Sequence, residues 1–316
     1  MTMAPQSPAG GVAAAAPSLV MGNLLCVGSM VTWAMSFPAA DVLLQTWDPL
    51  ALIAARLMMA VAMLVPLWAI LDGPRAVLTA RWGRGAIVGG LGFGLGTWML
   101  LLAQSLTDAV TVAIIASSMP IVATVFEIVL DGRRPSRNFL IGMTVCVTGG
   151  IVAVSGSGGG GANFIPGVLA ALLSVVMFCY GSRAAVQDFP DLSAIGRTTI
   201  TLAGGLMFTG TLFAGLHQFG WAAAPRAPVD AIQLGYLAIY ALAGMALSQL
   251  LWISSVQKLG IAIATCHINA APFYVMVVLL ALGGAWNTMQ ALGAAIVITG
   301  VIFAQRRTVN AALPTG

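Results

Sequence analysis

Charge is scarce in this sequence: Asp, Glu, Lys and Arg supply 7% of its 316 residues, against 59% hydrophobic. Soluble domains use charged residues at about a quarter of positions, so a water-exposed globular fold is excluded. Cysteine is scarce too. Cys26, Cys146, Cys179 and Cys266 each stand inside an apolar run without C-x-x-C spacing, which argues against a disulfide framework or a zinc site and leaves small packing residues. Two histidines and no H-E-x-x-H motif leave no catalytic residue, metal ligand or cofactor to assign. The apolar/polar alternation of barrel strands is also missing. The net charge of +4 comes from Arg and Lys in short gaps between apolar runs and does not point to nucleic acid.

What is present is apolar sequence in long blocks. Runs at 19–43, 50–71, 84–105, 108–130, 137–155, 164–185, 191–216, 231–255, 259–282 and 287–305 approach the roughly 20 residues that carry a helix across about 30 Å of hydrocarbon. The fold class expected is an all-α integral membrane protein with ten transmembrane helices. Segment 1–18 is rich in Ala and Pro, has no basic residue, and has no apolar stretch ahead of its Ala run, so it reads as a disordered tail rather than a secretory signal. Segment 306–316 reads as a second tail. With the N-terminus cytoplasmic, ten basic residues (Arg75, Arg81, Arg84, Arg133, Arg134, Arg137, Arg183, Lys258, Arg306 and Arg307) fall inside and only Arg226 outside. The positive-inside rule then puts both termini in the cytoplasm of a bacterial inner membrane protein.

The halves 19–154 and 163–305 repeat each other across 155–162, a flexible Gly/Ser linker (SGSGGGGA) that lacks the Lys-Ser/Thr of a phosphate loop. Stretches 105–120 and 257–272 are Ala/Thr-rich and both end on proline. Pro49 and Arg56 are spaced as Pro190 and Arg197; Gly22, Ser29 and Trp33 as Gly167, Ser174 and Phe178. Gly92 corresponds to Gly244, and Thr148-Gly149 to Thr299-Gly300. Five helices per half force the second copy to enter from the opposite side, so the repeats are inverted, as in many secondary transporters.

Met30-Val31-Thr32-Trp33-Ala34-Met35-Ser36-Phe37, the Pro49…Arg56 spacing, and Pro120 followed by an Arg-rich loop give a specific likeness. Over residues 20–305 the chain resembles the drug/metabolite transporter superfamily, in particular bacterial exporters with two EamA-type repeats, and within it the aromatic and neutral amino-acid exporters. The resemblance implies a small-molecule substrate moved by alternating access. Helices one to four and six to nine would enclose the cavity, with five and ten peripheral. Cargo of another kind, a drug, sugar or lipid precursor with or without proton coupling, is the alternative. Beyond substrate, membrane lipid is the expected partner, with a monomer or weak oligomer as the assembly.

Polar and aromatic residues deep in a span are the candidates for substrate contact. Trp33 and Tyr180 lie at corresponding levels of helices one and six, either as packing or as pocket lining. Helix three carries Gly85, Gly89, Gly90, Gly92, Gly94 and Gly96, then Thr97 and Trp98; these glycines serve close helix packing or leave room for substrate. Gln249 and Trp252, three apart, share a helix face. Ser117 and Pro120 match Asn269 and Pro272 in depth, near His267, and Pro38 follows Trp33. Proline kinks a helix and frees backbone groups that can meet an ammonium or carboxylate. Arg56 and Arg197 are expected to snorkel or pair with Asp41, Asp48, Asp188 or Asp191. No carboxylate occupies a span centre, and Glu127 is peripheral, so uniport is the simpler mechanism, with His267 the sole central group able to carry a proton. A membrane enzyme or an ion channel would need clustered catalytic groups, carboxylate rings or a carbonyl filter, none of which is found. Reporter fusions test the topology: those at Arg134 and Thr308 should report cytoplasm and one at Gly159 periplasm, and a periplasmic signal at Thr308 would overturn the helix count.

Overall fold

The computed structural model describes residues 15–131, 137–156, 163–226, 228–259, 264 and 267–305. Most of both expected tails and of the linker lie outside the described residues, as do Arg133, Arg134 and Cys266. Every regular element among the described residues is helical. In chain order they are α1 (Ala15–Ala34), α2 (Ser36–Leu44), α3 (Pro49–Asp72), α4 (Pro74–Leu78), α5 (Trp82–Gly89), a π-helical segment (Gly90–Leu95), α6 (Gly96–Leu106), α7 (Ala109–Ala116), α8 (Met119–Asp131), α9 (Arg137–Gly156), α10 (Phe164–Gln187), α11 (Ala194–Gln218), α12 (Ala231–Ala238), a second π-helical segment (Ile239–Leu247), α13 (Ser248–Leu259), α14 (Ala271–Ala281) and α15 (Thr288–Gln305). Seven continuous stretches are long and apolar enough to cross a membrane: Val20–Leu44, Pro49–Asp72, Trp82–Leu106, Ala109–Phe126, Phe164–Gln187, Ala194–Gln218 and Ala231–Leu259. Shorter apolar helices cover Leu140–Val152, Ala271–Ala281 and Thr288–Phe303.

The few charged and hydroxylated residues at the ends of these helices start them. Asp48, Asp108, Ser193 and Asp230 are N-caps whose side chains accept from the backbone N–H of Leu50, Thr111, Gly196 and Gln233. Each satisfies a donor the helix cannot pair internally, and the three carboxylates also sit at the positive end of a helix dipole. Three of the interruptions are proline-driven. Pro38, Pro120 and Pro272 occupy the first turn of α2, α8 and α14, just past breaks at Met35, Ser117–Ser118 and Asn269–Ala270. A proline there lacks a donor for the carbonyl four residues back and crowds it, so the preceding helix ends. The last two breaks are built alike: the N–H groups of Ile121 and Val122 both donate to Ser118, and those of Phe273 and Tyr274 both donate to Ala270.

Glycine decides how closely the helices approach. A Cβ on Gly89 would lie 2.0 Å from the Thr201 carbonyl oxygen of α11, and one on Gly204 2.1 Å from that of Gly85. Gly92 meets Gly181 of α10, while Gly96 meets Met177 and Phe178. Helix three's glycines are therefore filled by neighbouring helices, which corrects the reading that they leave room for substrate. Contacts recur at the spacing of the sequence repeat. Gly22 packs on Lys258 and Leu259, and Gly167 on Leu106 and Thr107. Gly149 of α9 meets Gly293 and Val297 of α15, and Gly300 of α15 meets Gly142 and Cys146 of α9. α9 and α15 pack chiefly on each other.

The buried arginines also differ from expectation. Arg56, 2% exposed, donates from Nε to the Tyr240 carbonyl (2.9 Å) and from Nη2 to that of Gly244 (2.8 Å). Its guanidinium carbon lies 3.7 Å from the centre of the Tyr240 ring. Arg197 donates to the carbonyls of Phe189 and Pro190, both at 2.7 Å. Neither makes an ion pair with an aspartate among the described residues, where Arg84 and Asp188 form one at 2.7 Å. A π-helical turn shifts the ladder to i→i+5 and frees carbonyls. The segment 239–247 thus offers Arg56 neutral acceptors and an aromatic face, without the cost of burying a second charge.

The glycine contacts predict a graded response to an added methyl. Gly204→Ala should cost about 2 kcal/mol or more by overpacking against backbone, seen as a lower melting temperature of the detergent-purified protein. Gly150→Ala, whose Cβ meets nothing within 4 Å, should melt as the parent does.

Candidate functional site

A central cavity of about 540 Å³, including its open mouth, lies among α1, α6, α7, α8, α10, α13 and the residue before the α14 break. Its wall follows the register of the sequence repeat. Ser29, Met30 and Trp33 of α1 stand with Ser174, Val175 and Phe178 of α10; Leu100 stands with Trp252, and Ala116 with Ile268. The wall is mainly apolar and includes no charged residue.

Most polar groups on the wall are occupied. Ser29 Oγ donates to the Ser248 carbonyl (2.8 Å) and Ser248 Oγ to that of Ser29 (3.1 Å), a reciprocal tie between α1 and α13. Trp252 Nε1 donates to Ser182 Oγ at 3.3 Å. Two are left over. Ser174 Oγ and Gln249 Nε2 are buried, and neither has a hydrogen-bond partner among the described residues. An unpaired buried polar group costs about 1–3 kcal/mol, so both favour an occupant that can pair with them. The aromatic rings are braced from behind: Trp33 packs edge-on to Phe37 with centroids 4.8 Å apart, and Phe178 edge-on to Phe93 at 5.7 Å. Such pairs limit the rotamers available to the cavity side chains.

Of the residues singled out in the sequence, the structure brings Trp33, Gln249 and Trp252 to the wall. The amide nitrogen of Gln249 makes no helix-to-helix bond among the described residues. The others lie elsewhere. Thr97 is buried and donates to the Phe93 carbonyl (2.5 Å) of its own helical run, and Ser117 donates to that of Ile114 (2.7 Å). Trp98 is half-buried against the main core. Tyr180 packs on a separate cluster of Val88, Ala184, Phe189 and Ile200. His267 and Asn269 flank Ile268, off the wall, and His267 Nδ1 and Asn269 Oδ1 are buried without a partner among the described residues. Sequence reasoning missed Ser174 and Phe178 as site residues. The signal was available: both are the repeat mates of Ser29 and Trp33.

A second cavity of about 690 Å³, open to its surroundings, is lined by Asp41, Asp108, Trp286, Asn287 and Gln290 among others. Gln104 Nε2 donates to Asp41 (2.7 Å), and Gln290 Nε2 to Asp108 (3.1 Å). Asp41 lies within the span Val20–Leu44, so this cavity is what lets a carboxylate sit there.

Residues 20–155 match the EamA-like transporter family. Over that part the chain is similar to EamA-like transporters. It is similar along most of its length to two curated relatives. A Bacillus subtilis (strain 168) transporter, YrdR, described as uncharacterized, is 24% identical over 90% of this chain and 91% of its own. A probable terminal-alkyne amino-acid exporter of Streptantibioticus cattleyicolor is 27% identical over 89% of this chain and 92% of its own. A chain solved by crystallography superposes with a TM-score of 0.63 at 19% identity, covering 90% of this transporter and 96% of that chain, a likeness in fold alone.

The cavity serines should separate in a melting experiment on the ligand-free transporter. Ser248→Ala removes a bond from the α1–α13 tie and should destabilise by about 1 kcal/mol. Ser174→Ala removes an unpaired hydroxyl and should leave the melting temperature unchanged or raised. A drop for Ser174→Ala as large as that for Ser248→Ala would show that its hydroxyl is already satisfied.

Proposed function

We propose that this transporter exports small amphipathic metabolites, aromatic or neutral amino acids, across the bacterial inner membrane by alternating access and as a uniporter. The observation that carries the reading is the central cavity: no charge on its wall, aromatic rings on α1, α10 and α13, and two unsatisfied polar side chains. Such a site suits a molecule with an apolar body and a polar head that bears no net charge. The relative described as a probable amino-acid exporter supports the cargo class.

In this reading ten helices cross the membrane. The seven long spans account for most of them, and the three shorter apolar helices coincide with expected helices five, nine and ten. The contacts that recur in register, those of Gly22 on Lys258 and Leu259 with those of Gly167 on Leu106 and Thr107, and those of Gly149 with those of Gly300, support two inverted five-helix halves, between which the cavity lies. Rocking of one half against the other around the cavity then exposes it to each side in turn.

Uniport follows from a cavity wall without a titratable group. The proton-coupled reading has one observation in its favour, Asp41 at the second cavity. Proteoliposomes preloaded with unlabelled amino acid should show counterflow of labelled phenylalanine, leucine or tryptophan. An imposed pH gradient at zero membrane potential should produce no overshoot in the parent, in His267→Ala or in Asp41→Asn. A gradient-driven overshoot abolished by one substitution would refute uniport and identify the proton site. Counterflow with none of the amino acids would move the reading to another cargo.

A further inference from the structure

We infer that the central cavity grips the two charged ends of an α-amino acid on different walls: the carboxylate at Ser174 and Gln249, the ammonium at the backbone carbonyls of Ala116 and Ile268. The inference rests on the amino-acid reading above and adds to it an orientation and two kinds of recognition group.

The donor wall consists of side chains. Ser174 on α10 is fully buried and Gln249 on α13 is 8% exposed. Both line the cavity, and the hydroxyl of one and the amide nitrogen of the other have no partner among the described residues. An amide N–H can only donate, and a hydroxyl best satisfies itself by donating to an anion. With no Arg or Lys on the wall, these two groups are the means of meeting a carboxylate.

The acceptor wall consists of backbone. Ala116 stands four residues before Pro120, and Ile268 four before Pro272, so the amide that would pair each carbonyl in a continuous helix is missing. The N–H groups that follow do not replace it, because Ile121 and Val122 donate to Ser118, and Phe273 and Tyr274 to Ala270. No backbone N–H among the described residues reaches the Ala116 or Ile268 carbonyl across these breaks. Both residues line the cavity. A carbonyl at the C-terminal end of a half-helix carries partial negative charge and suits a cation. Because dipoles rather than full charges meet both ends, a zwitterion fits, whereas a molecule with one charged end engages one wall. Trp33, Phe178 and Trp252 supply the apolar surface for its side chain.

The test uses the full-length transporter in nanodiscs and titrates three probes of one skeleton: L-phenylalanine, 3-phenylpropionate (no ammonium) and 2-phenylethylamine (no carboxylate). Phenylalanine should bind at least about tenfold more tightly than either, since a hydrogen bond to a charged group is worth roughly that factor or more. Gln249→Leu should weaken phenylalanine and phenylpropionate about tenfold and leave phenylethylamine unchanged. Pro120→Ala, which returns an N–H to the Ala116 carbonyl, should weaken phenylalanine and phenylethylamine and leave phenylpropionate unchanged. Gln249→Glu should tighten phenylethylamine while abolishing phenylpropionate binding, a gain that loss of folding cannot produce. Equal losses for all three probes in Gln249→Leu and Pro120→Ala, or no gain in Gln249→Glu, would overturn the assignment while leaving the amino-acid reading standing. A parent transporter that binds neither phenylalanine, leucine nor tryptophan would overturn the amino-acid reading and this inference together.

Discussion

In hydrocarbon, a backbone carbonyl or amide that loses its partner has no water to turn to, and each such group costs several kcal/mol. That constraint makes every regular element among the described residues a helix, and it also makes the departures from regular helix informative. They fall at the breaks beside Pro38, Pro120 and Pro272 and at the π-helical segments 90–95 and 239–247. Some of the groups left over at helix ends and irregular turns have a local answer. Asp48, Asp108 and Asp230 cap helix starts, and Arg56 takes two carbonyls at the second π-helical segment. The Ala116 and Ile268 carbonyls, four residues before Pro120 and Pro272, have no such answer among the described residues, and these residues border the cavity.

The second constraint is closeness. With lipid on the outside there is no hydrophobic force pressing helices together, so contact area must come from backbones that touch. Glycine supplies this at Gly89, Gly92 and Gly204, where a methyl group would lie inside its neighbour's backbone. The contacts fix α5 against α11 and the first π-helical segment against α10, while the larger side chains of α1, α10 and α13 line the cavity.

Much of this architecture was legible in the sequence because charge and apolar runs are segregated. Asp48, Asp108 and Asp230 stand just where three helices begin, a cap signal that the apolar runs alone did not use. The prolines announced the breaks, and the helix-sharing pair Gln249 and Trp252 reached the cavity together. The rest was hidden for physical reasons. Thr97 and Ser117 look like site residues, yet a Ser or Thr in a helix can satisfy itself on a carbonyl of the preceding turn, and both do so. Arg56 had aspartates nearby in sequence, but its partners are carbonyls of a π-helical segment that single-sequence periodicity does not reveal. Ser174 was visible only as half of a spacing match, and its importance comes from the partner it lacks in the fold.

A chamber whose facing walls are near copies offers any guest two poses of similar energy, related by half a turn. Ser29 with Ser174 and Ala116 with Ile268 make this chamber close to such a case. The degeneracy is broken in part on the α13 side. Trp252 faces the cavity where its mate is Leu100, and Gln249 keeps a free amide where its mate Thr97 is tied to the Phe93 carbonyl. Ser174 on α10 is likewise unpaired among the described residues where its mate Ser29 is tied to the Ser248 carbonyl, so the asymmetry lies on α10 and α13 together. In the proposed export reading, divergence at a few positions of these two helices reverses which end of a molecule leads on the way out, with the scaffold left untouched.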